Sequence, residues 1–172
     1  MTSEGLIMRA FTVSLYLIAV CSLGDTSWLS TTCRGEWQRF GSHYFFFDQT
    51  QRSWTDSERN CESLDGHLAS VHSTEESRFL EELAGGSTIT WIGGNDGGRP
   101  EMTQPRTWTW TDSTMFNYHE WADGEPNNFN GVRESCIQMN FGDEHRWNDE
   151  VCEKDFASIC SRHIRTTVKI AC

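Results

Sequence analysis

The sequence predicts an α+β fold, and three observations carry that reading. Two amphipathic helical patterns come early, over residues 53–64 and from Ser73 to the glycine pair Gly85-Gly86. Short apolar or alternating runs follow, separated by long polar loops, which is the pattern of strands. Cysteines stand on both sides of those loops, where cross-links brace irregular structure in a small domain. The 172 residues suit one domain with a small appendage, and no internal repeat is visible.

The first segment lies apart from that fold. Residues 10–20 read AFTVSLYLIAV, an apolar run without charge and shorter than the ~20 residues a bilayer span needs. Ser22 and Gly24 stand at the −3 and −1 positions of a cleavage after Gly24, so residues 1–24 read as a secretory signal peptide. Translation from Met8 would give a more basic start than translation from Met1. The chain is therefore expected to be secreted, with no segment inserted in a membrane. Residues 25–32 are polar and read as a short N-terminal segment, residues 33–162 as the domain, and residues 163–172 as a C-terminal tail.

Within the domain, Trp37, Phe40, Tyr44, Phe45, Phe46 and Phe47 crowd a stretch that favours a buried strand. Ser53 is an N-cap candidate with Asp56 three residues on, and Trp54, Ser57, Cys61 and Leu64 recur at helical steps. Ser73 with Glu76 forms a second capping box, and Phe79, Leu80 and Leu83 make the inner stripe before the glycine stop. Residues 91–93 and 108–111 read as strands, as do 136–139, 146–147 and 157–160.

Charge and cysteine content narrow the function. The formal charge of −11 argues against nucleic-acid binding, because a polyanion needs a basic face. Removing residues 1–24 takes away Cys21 and leaves six of the seven cysteines. An even number in an oxidising compartment implies disulfides, and six cysteines allow 15 pairings. No Cys-x-x-Cys occurs, no two histidines are spaced like a zinc site, and no activated nucleophile is apparent, so an enzyme is not expected. His67, His72, His119, His145 and His163 read as surface or structural residues.

The informative stretch runs over residues 125–149. It holds Glu125-Pro126-Asn127, then Glu134 before Cys136, then Trp147-Asn148-Asp149 before Cys152. Three carboxylates and two amides form an oxygen-only donor set, the chemistry that suits Ca²⁺. Each donor keeps a second polar atom, a free oxygen on a carboxylate and an NH₂ on an amide. Two adjacent sugar hydroxyls can then bind the metal while donating and accepting hydrogen bonds. A cis Glu125–Pro126 bond would turn both side chains the same way. Trp121 and Phe129 are aromatics beside the loop that fill space or stack on a sugar face.

These residues resemble the C-type lectin-like domain family, and most closely its small secreted fish lectins and type II antifreeze proteins. The resemblance rests on Cys33-x3-Trp37-x2-Phe40, residues 66–71 (GHLASV), residues 91–94 (WIGG), Glu125-Pro126-Asn127, Trp147-Asn148-Asp149 and the cysteines at 61, 136, 152 and 160. It implies a double-looped fold with two helices packed on antiparallel strands. It implies disulfides Cys61–Cys160 and Cys136–Cys152, and a Ca²⁺ and carbohydrate site at Glu125, Asn127, Glu134, Asn148 and Asp149. The order Glu-Pro-Asn resembles the mannose-type version, whereas Gln-Pro-Asp resembles the galactose type. Asp96 stands near an auxiliary ion position, with Asn128 and Ser135 where acids would be needed. Cys33 and Cys172 are left to pair with each other or to link two chains into an oligomer.

The expected function is a secreted Ca²⁺-dependent lectin for mannose-type glycans, such as those of microbial surfaces, in innate defence. Two alternatives stand beside it. One is an ice-binding protein using Thr88, Thr90, Thr107, Thr109 and Thr111. The other is a protein of the same fold whose partner is a protein.

Overall fold

The computed structural model describes residues 36–98 and 106–164. The chain divides into the units Met1–Thr32 and Cys33–Cys172, and every described residue belongs to the second. The expected signal peptide, Cys33, Cys172 and the last eight residues lie outside the described residues.

The aromatic stretch near the start forms a hairpin rather than one strand: β1 (Gln38–Phe40) pairs antiparallel with β2 (His43–Arg52). Gly41 turns the chain between them with φ +55°, a conformation that suits glycine. Helix α1 (Trp54–Ser63) starts where the sequence places it, with the Ser53 hydroxyl accepting from the Asp56 N–H. Strand β3 (His67–Leu68) is too short to show a period in the sequence. Helix α2 (Thr74–Leu83) is capped by Ser73, which accepts from the Glu76 N–H. Glu76 reaches back past the cap and accepts from the His72 N–H at 2.8 Å. The remaining strands are β4 (Thr90–Asn95), β5 (Thr109–Trp110), β6 (Cys136–Phe141), β7 (Arg146–Glu150) and β8 (Phe156–His163).

The sheet runs β1-β2-β8-β4-β6-β7, with β3 added on β8 and β5 on β4. All pairs are antiparallel except β4 with β8, so the sheet is mixed. Strand β8, the last among the described residues, pairs with β2, β3 and β4. This closes the domain across its full sequence length.

Two buried clusters fill the interior. One gathers Leu80 of α2 with Phe45, Ile92, Ile137, Met139, Trp147 and Ile159 from the sheet. Phe79 of the α2 stripe packs its ring on Phe40 at 5.0 Å. The other surrounds the Cys61–Cys160 disulfide with Leu68, Trp91 and Cys136. The second disulfide joins Cys136 of β6 to Cys152, and both bridges are those the family resemblance implies. The Trp54 indole N–H donates to the Ile92 carbonyl, locking α1 to β4.

The close approach of β3 to β8 depends on Gly66. A Cβ there would stand 2.3 Å from the Ser161 carbonyl oxygen, a backbone atom with no rotamer to move. Gly66→Ala is expected to lower unfolding free energy by about 1–3 kcal/mol, read by denaturant titration.

Acid should act through Asp112. Burial alone would raise its pKa. The hydroxyls of Ser70 and Thr114, both at 2.6 Å, and the Thr114 N–H outweigh burial and hold it below the ordinary carboxylate range. A depressed folded-state pKa adds stability above the unfolded-state value of about 3.9, and that stability is lost as pH falls through the folded-state value. Asp112→Asn should therefore be less stable at pH 7 and lose less stability between about pH 4 and pH 2, measured by thermal unfolding across pH.

Candidate functional site

The site is built where the loop before β6 meets β7. The segment before that loop runs beside β7: the Trp147 N–H donates to the Glu120 carbonyl, and the Ala122 N–H donates to the Trp147 carbonyl. Trp147 is completely buried, with Trp110, Phe116, Tyr118 and Trp121 set edge-on around it at 5.7–6.3 Å. These rings fix Trp147, the residue that precedes Asn148 and Asp149 on β7.

Four of the five residues singled out from the sequence, Glu125, Asn127, Glu134 and Asp149, meet here, and Asn148 precedes Asp149 on β7. Asp149 is fully buried, and Asn148 and Glu134 are nearly so. The two Asp149 carboxylate oxygens accept from the Asn127 N–H at 2.9 Å and the Asn128 N–H at 3.1 Å. The Glu125–Pro126 bond is cis. The Asn127 side-chain NH₂ donates to Glu125 Oε1 at 2.7 Å, so amide and carboxylate face one another.

Residues 128–134 return to the sheet through reciprocal bonds. Glu134 Oε2 accepts from the Phe129 N–H at 2.7 Å, and the Glu134 N–H donates to Asn128 Oδ1 at 3.0 Å. Asn128 and Asn130, with φ of 50° and 55°, absorb the turn in the left-handed region that asparagine tolerates.

Negative charge is in excess at the centre. The Glu125 pKa is pushed up to about 7, first by burial, then by Asp149 and Glu134. Glu134 is also raised, by burial and then by Asp149 and Glu150, against the Phe129 N–H bond that lowers it. Glu125 Oε2 is buried and accepts no hydrogen bond. A buried carboxylate oxygen without a donor, among carboxylates that repel each other, is a place a hard cation fits. Glu125, Asn127, Glu134, Asn148 and Asp149 present oxygen donors of the kind that suit Ca²⁺.

The auxiliary position is occupied differently. Asp96 is buried and takes the guanidinium groups of both Arg106 and Arg133. Arg106 also reaches Asp149 and the Glu134 carbonyl, and its guanidinium lies 4.4 Å from the centre of the Trp108 ring. Hydrogen bonds to Ser135, Arg106 and Arg133 hold the Asp96 pKa low although burial would raise it. Positive charge beside Asp96 thus comes from side chains. Sequence reasoning missed Arg106, which stands 43 residues from Asp149 and outside every motif.

The two doubtful aromatics separate. Trp121 packs on Trp108 at 5.0 Å and on Trp147, whereas Phe129 is 64 % exposed at the loop tip. Asp143 and Glu144 are exposed, and Arg146 pairs with Glu144.

Comparison with known proteins gives this arrangement its family. The model of the C-type lectin domain matches residues 50–162. The chain belongs to the C-type lectin domain family. It is 47 % identical over 130 residues to ladderlectin of Oncorhynchus mykiss, covering 73 % of this chain. The chain spans 65 % of ladderlectin's length. Among solved structures, it is similar to the herring type II antifreeze protein, with a TM-score of 0.68 and 35 % identity over 77 % of this chain and all of that one. It is also similar to the C-type lectin domain of murine dendritic cell inhibitory receptor 2 in complex with N-glycan. That match has a TM-score of 0.66 and 31 % identity over 77 % of this chain and all of that one. The family usually binds calcium, and its members are typically binding proteins rather than enzymes. Among the described residues no helix is long and apolar enough to cross a membrane.

The Arg106 network gives a stability test. Arg106→Ala would strip one guanidinium from two buried carboxylates, and a loss of about 3–5 kcal/mol is expected. Arg59→Ala removes an exposed pair with Asp56 and should cost less than about 1 kcal/mol in the same denaturant titration.

Proposed function

We propose that this chain is a secreted, Ca²⁺-dependent carbohydrate-binding lectin of mannose-type specificity, with residues 1–24 as its signal peptide and innate defence as its setting. The reading rests on one observation above others. Glu125 lies among Asp149, Glu134 and Asn127 with its pKa pushed up to about 7, and one of its oxygens lacks a donor, which supports a cation held there by these residues together with Asn148. Membership of a family that usually binds calcium supports it, as does likeness to a lectin domain solved with an N-glycan.

A bound Ca²⁺ would supply positive charge to the carboxylates and a Lewis-acid contact for two adjacent sugar hydroxyls. The rest is done by the chain. In the free site the Asn127 NH₂ donates to Glu125 Oε1. A sugar hydroxyl that enters between them accepts from Asn127 and donates to Glu125. The donor and acceptor that bonded each other in the free site are then both satisfied by the sugar. Asn148 carries a second amide and Glu134 a second carboxylate for the neighbouring hydroxyl. The order of acid and amide sets which hydroxyl stereochemistry fits, and Glu125 before Asn127 is the order associated with equatorial 3- and 4-hydroxyls. Phe129, exposed at the rim, adds apolar surface beside that site. A single sugar so held binds at about millimolar Kd, near −4 kcal/mol, and useful avidity comes from several copies.

Ice binding is the second reading, favoured by likeness to the herring antifreeze protein. Its threonine face is incomplete: Thr90 is fully buried and Thr111 half-buried, leaving Thr88, Thr107 and Thr109 exposed.

The purified chain should be retained on mannose-agarose in Ca²⁺, released by EDTA, and pass through galactose-agarose. Glu125→Gln with Asn127→Asp should shift retention toward galactose. Flow-through from both columns, with thermal hysteresis in dilute protein, would replace the lectin reading by ice binding.

A further inference from the structure

Six histidines are spread along the chain, and the two nearest in sequence are His67 and His72. The fold nevertheless brings two of them together. His43 opens β2 and His163 closes β8, and the two are direct partners across that antiparallel pair. Their rings lie 4.1 Å apart between centres, and their Nε2 atoms are 3.2 Å apart. The pair is 120 residues apart in sequence, which is why no local pattern announces it.

We propose that His43 and His163 form a two-imidazole site for a divalent transition-metal ion of the Zn²⁺ or Cu²⁺ class. Two Zn–N bonds of about 2.0–2.1 Å at a tetrahedral angle separate their nitrogens by about 3.3 Å, close to the spacing present. Imidazole selects such ions over Ca²⁺, so this site and the oxygen-lined one differ in chemistry and do not compete for one ion.

The surroundings suit it. His163 is exposed and His43 half-buried, so an ion can enter from solvent. The pair borders a cleft of about 190 Å³ that Asp65 and His67 also line, leaving space for water on the remaining coordination positions. Arg162 lines the same cleft, but its guanidinium is stacked 4.1 Å from the centre of the Trp37 ring. Metal binding needs both Nε2 lone pairs, so each ring must carry its proton on Nδ1. For His43 that proton faces the Ser42 hydroxyl at 3.4 Å. Burial and then the charge of His163 lower the His43 pKa, with Asp112 opposing and His72 adding to the effect. A lowered pKa favours the neutral ring, the form that ligates.

A competitor lies nearby. Glu58 and Glu62 of α1 with His67 also bring three potential ligand atoms close together. In that group both Glu58 oxygens already accept hydrogen bonds, from the Leu68 N–H and against His67 Nδ1.

The test is a titration of the full disulfide-bonded chain with ZnCl₂, with Ca²⁺ saturating throughout, followed by histidine ring ¹⁵N shifts and by calorimetry. The His43 and His163 rings should move together and saturate at one Zn²⁺ per chain, while His72, His119 and His145 stay still. His43→Gln and His163→Gln should each weaken that binding by ~10²-fold, because either change turns a chelate into a single imidazole, and the double variant should abolish it. Shifts at His67 in place of the pair would put the ion at Glu58 and Glu62 and overturn the proposal. Small additive losses in the single variants would also overturn it, since they mean two independent rings. If a variant does not fold, the ring shifts of the unaltered chain decide alone.

Discussion

A fully buried carboxylate, that of Asp149, is the constraint around which the functional end of this domain is arranged. A charge with no exposure is costly unless donors surround it. Here the donors come from places far apart in the chain: two backbone N–H groups of the loop at 127–128 and the Arg106 guanidinium. Satisfying one side chain therefore folds the loop onto β7 and pins the segment at Arg106 against both. Glu125 and Asn127 face their partners because the next two N–H groups are held by Asp149. The loop is positioned by its backbone, which leaves its side chains available for a ligand.

The two ends of the Arg106 network show how this acidic chain distributes charge. Around Asp96 two arginines balance the carboxylate inside the protein, and its pKa is low. Around Glu125 the acids Asp149 and Glu134 crowd in, the Arg106 ion pair there is made to Asp149, and the Glu125 pKa is high. Carboxylates thus report two environments, one balanced by two guanidinium groups and the other in which the acids outnumber the guanidinium that reaches them. That contrast is the physical basis for reading the second as a cation site. It also explains why Asn128 and Ser135 suffice at the auxiliary position: with Arg106 and Arg133 present, further acids have no task there.

The mixed sheet carries a similar lesson about distance. Strand β8 joins the first hairpin to β4, and it brings Cys160 against Cys61 and His163 against His43. A disulfide and an imidazole pair thus sit on one strand, both joining segments about a hundred residues apart. Closing such large loops is entropically expensive, and the disulfide lowers that cost by restricting the unfolded chain.

Local chemistry was legible in the sequence. Helices α1 and α2 follow from their caps and stripes, because Ser53 and Ser73 bond N–H groups only three residues away. The candidate oxygen-donor set stands out in the sequence because Glu125 and Asn127, and Asn148 and Asp149, are near neighbours in the chain. What escaped were features made by pairs distant in sequence. Strand β3 has two residues and no period of its own. The first aromatic run splits into a hairpin because a turn at Gly41 reverses it. Arg106 gains its partners, and His43 its opposite ring, only through the register of strands. A sequence specifies local hydrogen bonds and alternation by spacing. Which distant side chains meet is decided by how the sheet closes.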